Sequence, residues 1–470
     1  MKEHILKTLI LGSSLVVFAS SLHAVKPRLP KSKPLAFSPP QGARYTLKNG
    51  MIVYILKDNT LPIINISAKI KTGKIYDTED KIGLAELTAD LLKDGGTLKY
   101  KPEEIDEILE FSGASISSRI FMEEGEVAMR CLSKDFKKVF NIYSDVLMNP
   151  TFNDDKLKLF KDDTLEGIRR RNDKPDSQAQ REAIRMFYGK NHPYGWRTEP
   201  ETIEAINKED LKNFHSNFYK PNNIILAVSG DFKNEKEILE NLNTAFSSWK
   251  QGKVNFPVIP EAKIKAERNI YFIEKDIAQT FIVLIQKGIK RHDPIEFPLS
   301  VANQILGGGS FSSRLTNEIR TKRGLAYTVY SYFAKRPDYG YFFAYCGTKP
   351  ETYSQALEEM LKQFQLMKEK TVSAKELNIA KSSIINSFVF RFPTPFSLME
   401  ERASYELYGY SKDYLDNYTK EMAKTTQDSV LEASKKILDP DNAMLFVIGN
   451  SKKFDKPLST FGKVTVLKED

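Results

Sequence analysis

Cysteine is nearly absent, with only Cys131 and Cys346 in 470 residues. That excludes a scaffold built on disulfides, while one bridge or two buried thiols both fit the sequence. Histidine is scarce too, five in all, so a nitrogen-rich metal centre has few residues to draw on. No apolar run reaches the ~20 residues of a membrane-spanning helix, which argues against stable membrane insertion. A nucleophile elbow is missing. Gly307-Gly308-Gly309 follows a helical pattern and lacks the Lys-Ser/Thr ending of a phosphate loop. Charge is not one-sided: 70 basic residues face 61 acidic ones, spread along the chain, so no nucleic-acid partner is expected.

What is present suits a folded, multi-domain protein. Hydrophobic residues make up 41% and charged residues 28%, and 29 Phe and 21 Tyr can fill sizeable cores. The N-terminus reads as an export signal over residues 1–24. Lys2 and Lys7 precede an apolar stretch from Leu9 to Phe18, and small residues follow as far as Leu22-His23-Ala24. No Cys lies near the cleavage region, so a lipid anchor is not expected and the periplasm is the expected location. Cleavage would leave His192, His215 and His292. Residues 25–44 form a basic, Pro-rich leader.

The chain also repeats itself. Pro221 and Pro440 each follow a helical pattern, precede an apolar stretch, and stand nine residues before Gly230 and Gly449. The strand pattern Ile64–Gly73 recurs at Thr280–Gly288, and Cys131 recurs at Cys346, both at an offset of 215. Two homologous domains are therefore expected, at 45–250 and 268–470, joined by a linker at 251–267 that carries Pro257 and Pro260. Clustered strands and irregularly placed helices predict α+β domains, each a largely antiparallel sheet flanked by helices.

Three segments carry a family resemblance: Gly83-Leu84-Ala85-Glu86-Leu87-Thr88-Ala89-Asp90, Asn191-His192-Pro193-Tyr194-Gly195, and Gly307-Gly308-Gly309-Ser310-Phe311-Ser312-Ser313-Arg314-Leu315 continuing to Tyr327. Together with the repeat, the chain resembles the peptidase M16 family, the insulinase and mitochondrial processing peptidase group, over about residues 45–470. The resemblance implies a zinc endopeptidase whose domains or chains close as a chamber. Its metal motif is an inverted His-x-x-Glu-His on one helix, with a third Glu ligand further along. Here the two His places are Glu86 and Asp90, the general-base place is Ala89, and the third-ligand place falls at Gly167, beside Glu166. Ala89 can move no proton. Glu86, Asp90 and Glu166 could hold only a hard cation through oxygen; the plainer expectation is solvated carboxylates near Lys93, with no metal in this chain.

The second-domain motif is intact. Arg320 and Tyr327 stand seven apart, on a helix expected to end near Lys322 and a strand running through Tyr330. The resemblance implies that this pair reaches the active site of a facing first domain. A guanidinium and a phenol suit a peptide carbonyl or a tetrahedral oxyanion. Gly113-Ala114-Ser115-Ile116-Ser117-Ser118 occupies the place of the family's substrate-binding edge strand, although Ser117-Ser118 stand where Asn-Ala is frequent. His192 is assigned to a turn or to packing, and His215 and His292 to structure or surface. The resulting expectation is the non-catalytic subunit of a heterodimer, inactive alone. It would supply Arg320 and Tyr327 to a homologous, zinc-bearing partner that hydrolyses unfolded peptides. The alternative is an inert scaffold or protein-binding homologue.

Overall fold

A computed structural model describes residues 39–264 and 267–468; the export signal and most of the leader lie outside them. Among these residues, twelve strands form two six-stranded sheets. The first holds β1 (Ala43–Thr46), β2 (Ile52–Lys57), β3 (Ile63–Ile70), β4 (Ser115–Ile120), β5 (Gly125–Leu132) and β6 (Ile224–Gly230), in the order β1-β2-β6-β3-β5-β4. The second holds β7 (Asn269–Glu274), β8 (Thr280–Lys287), β9 (Ala326–Ala334), β10 (Tyr341–Thr348), β11 (Met444–Gly449) and β12 (Lys463–Leu467), in the order β12-β7-β11-β8-β10-β9. Five strands correspond one for one between the halves, which is the repeat seen in the sequence. The sixth differs: β1 runs antiparallel to β2, whereas β12 runs parallel to β7. The α+β reading holds, with parallel pairing confined to β2/β6, β7/β11 and β7/β12. Strand β1 opens inside the expected leader. Residues 251–264 form no helix or strand, and paired hydrogen bonds between Asn217 and Asn255 (2.9 and 3.0 Å) strap this segment to the first half.

The central strands of each sheet are buried on both faces, and the two covers have different origins. Helices of the same half cover one face, through Leu87, Leu91, Val139 and Phe140 in the first half and Leu357, Met360 and Phe364 in the second. The other face is covered by a helix from the opposite half. Helix Pro175–Tyr188 sets Ala179, Ala183 and Phe187 against Val283, Ile285, Phe343 and Phe446. Helix Pro395–Leu407 sets Leu398, Met399 and Ala403 against Tyr54, Ile225 and Ala227. This exchange explains why β6 and β11 are buried along their whole lengths and, Ser229 apart, apolar rather than alternating. It also explains Lys69. On β3, Ile64, Ile66, Ala68 and Ile70 enter the first core, so Lys69 must face the borrowed helix.

Cys131 and Cys346 lie buried in separate cores as free thiols, so of the two readings left open by the sequence the bridge is the one that fails. Among the described residues no helix is long and apolar enough to cross a membrane.

Candidate functional site

Glu86, Ala89 and Asp90, the expected places of the metal motif, lie on helix Leu84–Asp94. Asp77 starts it: its carboxylate accepts the N–H of Gly83 and of Ala85, each at 2.8 Å. Burial pushes this acid up to about 7. Leu87, Ala89, Leu91 and Leu92 face the core, and Ala89 is only 1% exposed, so the general-base place holds neither an acid nor a path to solvent. Glu86 is exposed and paired with Lys74 at 2.7 Å. Asp90 is pushed up to about 6, chiefly by burial and then by the neighbouring Glu86 charge.

The Lys93 expectation needs correction, because its ammonium pairs with Asp94 (2.5 Å) and Asp106 (2.8 Å) instead. Asp106 arrives on the next helix, Pro102–Phe111. Gly167 lies on helix Asp154–Arg169, with open space where a Cβ would be, and Glu166 turns to Arg169 (3.3 Å) and Arg170 (2.7 Å). Glu86, Asp90 and Glu166 are thus not brought together. Among the described residues no three His, Cys, Asp or Glu side chains converge as metal ligands would. Two carboxylates, one of them already salt-bridged, with no ring nitrogen and a glycine at the third place, do not fit zinc.

In the second-domain motif the helical segment bearing Arg320 ends at Thr321, beside the expected Lys322, but its turns are π-helical. Helix Glu296–Asn303 passes into a π-helical turn, Gln304–Gly308, and a second π-helical segment, Thr316–Thr321, precedes β9. The wider turns appear in the hydrogen bond from Lys322 N–H to the Asn317 carbonyl, 2.9 Å and five residues back. Arg320 sits on this second segment and Tyr327 on β9, the edge strand of its sheet, and the fold brings them together. The Arg320 guanidinium carbon is 5.2 Å from the centre of the Tyr327 ring, which is 77% exposed.

Sequence reasoning missed a third member. Phe311, 69% exposed, sets its ring centre 5.1 Å from the same carbon. Its only signal in the sequence is an aromatic residue inside a Gly/Ser loop. The one nearby acid on the segment is already engaged: Glu318 pairs with Lys322 (2.5 Å) and Arg323 (2.9 Å), which hold it below the usual carboxylate range. Arg320 therefore has two aromatic neighbours and no ion pair among the described residues.

Among the described residues strand β4 is the edge of the first sheet and pairs only with β5, leaving one side of its backbone open. Ser117 is exposed, and the Ser118 hydroxyl is buried without a hydrogen-bond partner. The tip of the β4/β5 hairpin is clamped to the second half. Glu123 meets Arg291 at 2.5 Å and Arg336 at 3.2 Å, and accepts the Tyr194 hydroxyl at 2.9 Å. Nothing in local sequence announces this contact, since its partners lie 168 and 213 residues away.

The three described histidines, His192, His215 and His292, make structural contacts. His192 accepts the Tyr194 N–H at its Nδ1 and donates from Nε2 to the Pro260 carbonyl. His215 is buried against Tyr219, bonds the Leu147 carbonyl at 2.9 Å, and is pushed down to about 4 by burial. His292 bonds the Tyr408 carbonyl at 3.0 Å.

Comparison with known proteins agrees with this architecture. The model of the insulinase family (peptidase family M16) matches residues 53–198, and that of the peptidase M16 inactive domain matches residues 205–384. The chain belongs to the peptidase M16 family, and it is a member whose first domain lacks the residues for zinc-dependent hydrolysis. It is 24% identical over 408 residues to a Bacillus subtilis (strain 168) protein named uncharacterized zinc protease YmxG, covering 86% of this chain and 97% of that one. It is 24% identical over 410 residues to a Helicobacter pylori protein named non-peptidase homolog YmxG, covering 85% and 92%. A Pseudomonas fluorescens structure described as a peptidase M16 inactive domain superimposes with a TM-score of 0.80 at 26% identity, covering 89% of this chain and 99% of that one.

Proposed function

We propose that this chain is the non-catalytic subunit of a two-chain M16 metallopeptidase, in which a homologous partner holds the zinc and this subunit supplies Arg320 and Tyr327. The observation that carries the reading is the contrast between the two motifs. In the first domain Glu86 is salt-bridged, Ala89 is buried and the third-ligand place is a glycine, whereas Arg320 lies beside two exposed rings with no acid partner among the described residues. A guanidinium left unpaired at a surface is a ready donor for a peptide carbonyl, and a phenol beside it adds a second donor for the developing oxyanion. The open edge of β4 accepts an unfolded peptide as an added strand, which reads backbone more than side chains. The setting we propose is the periplasm, from the export pattern of residues 1–24.

The test is to express the mature chain with its His-x-x-Glu-His-bearing homologue and to assay each alone and both together on an unfolded peptide. Cleavage is expected only from the mixture. Arg320→Ala should lower kcat/KM by about 10²–10³-fold, the usual loss for one oxyanion donor, without preventing assembly. Full activity after Arg320→Ala, or no association of the wild-type chains, would overturn the reading and leave the inert scaffold.

A further inference from the structure

Phe311 contacts Arg320 as closely as Tyr327 does, and the geometry points to it as a third, substrate-facing member of the site. One ring face fixes the Arg320 guanidinium, and the other receives an apolar side chain of the peptide. This inference rests on the two-chain reading above.

The first half of the argument concerns Arg320. A half-buried arginine without an acid partner still samples several rotamers, and a substrate that uses it must offset that lost freedom. Aromatic rings 5.1 and 5.2 Å from the guanidinium carbon restrict the side chain. Rings attract a guanidinium through its flat face, so its in-plane N–H groups stay available for a carbonyl. Phe311 is therefore a positioning residue for Arg320.

The second half concerns the loop. An exposed phenylalanine contributes nothing to a core, yet the chain here is built to hold it out. Ser310 adopts φ 47, a left-handed conformation that is strained for a residue with a side chain. A Cβ on Gly307 would come within 2.4 Å of the Ser331 hydroxyl, so the loop lies pressed against β9. The Ser312 and Ser313 hydroxyls donate back to the carbonyls of Gly309 (2.7 Å) and Ser310 (2.8 Å) and close the turn on either side of Phe311. With Arg320 on one side of the ring, the surface that remains at 69% exposure is available to a ligand. Its chemistry suits a leucine, methionine or aromatic side chain beside the bond that Arg320 addresses.

Two measurements test the halves separately. In the chain alone, the rate at which phenylglyoxal modifies Arg320 is followed by peptide mass mapping in wild type, Phe311→Ala, Phe311→Leu and Phe311→Trp. Modification should be about threefold or more faster in the Ala and Leu variants and near wild type in the Trp variant, as expected for a ring-specific contact. An unchanged rate in Phe311→Ala, or equal protection by Leu, would overturn the positioning role. In the reconstituted pair, Phe311→Ala should lower kcat/KM about tenfold, through both kcat and KM, on a peptide with an apolar side chain at the cleavage site. Phe311→Leu should retain KM and lose kcat, and Phe311→Trp should restore both. Unchanged constants in Phe311→Ala would overturn the substrate contact. If the wild-type pair cleaves nothing, the two-chain reading and the substrate contact fall together, and the modification rates still decide the positioning role.

Discussion

Lys69→Met is the substitution whose consequences the structure constrains most tightly. The Lys69 ammonium lies 2.6 Å from Glu126, 3.5 Å from Glu124 and 3.7 Å from Glu400, and its side chain is 7% exposed. Glu124 and Glu126 belong to the first half and Glu400 to the helix lent by the second, so the cation binds the halves together. Methionine matches the length and removes the charge, leaving three carboxylates in one partly buried site. Removing one partner of a buried ion pair costs about 3–5 kcal/mol, a large share of the roughly 5–15 kcal/mol that stabilises a typical domain.

The loss should depend on pH with a defined sign. Burial already holds Glu124 and Glu400 above the usual carboxylate range, opposed by Lys69. Without the ammonium their folded-state values rise further, while in the unfolded chain they stay near 4.5. Over that window the folded variant binds more protons than the unfolded one, so its stability rises as pH falls. Chemical unfolding of Lys69→Met should therefore show its full deficit near pH 8 and a smaller one near about pH 5. Adding Glu126→Gln should recover part of it. A deficit below about 1 kcal/mol at pH 8, the worth of a solvent-exposed pair, or one that does not shrink on acidification, would refute the reasoning.

Burial pushes both thiols up to about 12, so Cys131 and Cys346 should resist a disulfide exchange reagent in the native protein and react together on unfolding. Rapid labelling of the native chain, or a mobility change on reduction, would contradict that. Gly167 sits inside an exposed helix with nothing within 4 Å of a built Cβ. Gly167→Ala should therefore stabilise the chain by about 0.5–1 kcal/mol in thermal unfolding, and a loss of stability would show an unseen contact there.

The repeat was legible because strand periodicity and the Pro-to-Gly spacing are local features that both halves keep. The metal-motif loss was legible for the same reason, since Glu86, Ala89 and Asp90 stand at fixed spacing on one helix. What escaped the sequence depends on distant partners. Helix Pro175–Tyr188 reads as an ordinary amphipathic segment, and nothing in Ala179 or Ala183 says which sheet they will meet. Lys93 had acidic neighbours at helical spacing in Glu86 and Asp90, yet Asp106 from the following helix and the adjacent Asp94 took it, while Lys74 from the preceding turn took Glu86. The π-helical turns escaped because a changed hydrogen-bond register leaves composition and apolar spacing almost untouched. Phe311 escaped because one aromatic in a Gly/Ser run looks like an ordinary loop until its ring is seen over Arg320.

The exchanged helices bear on how a two-chain assembly would admit a peptide. Parting the two halves of this chain would expose Phe343, Phe446, Val283 and Ile285 on one sheet and Ile225 and Ala227 on the other, all now buried. Each larger side chain among them would lose about 1.5–3 kcal/mol of burial. It would also break the Glu123 contacts with Arg291 and Arg336 and the Lys69 contact with Glu400. Those costs add along one interface and have no compensating contact in the opened form. The two domains of this chain should therefore move as one body, carrying Arg320, Tyr327 and the β4 edge in fixed relation. In the proposed two-chain assembly, an opening that admits substrate would then fall at the surface between chains rather than between the exchanged helices.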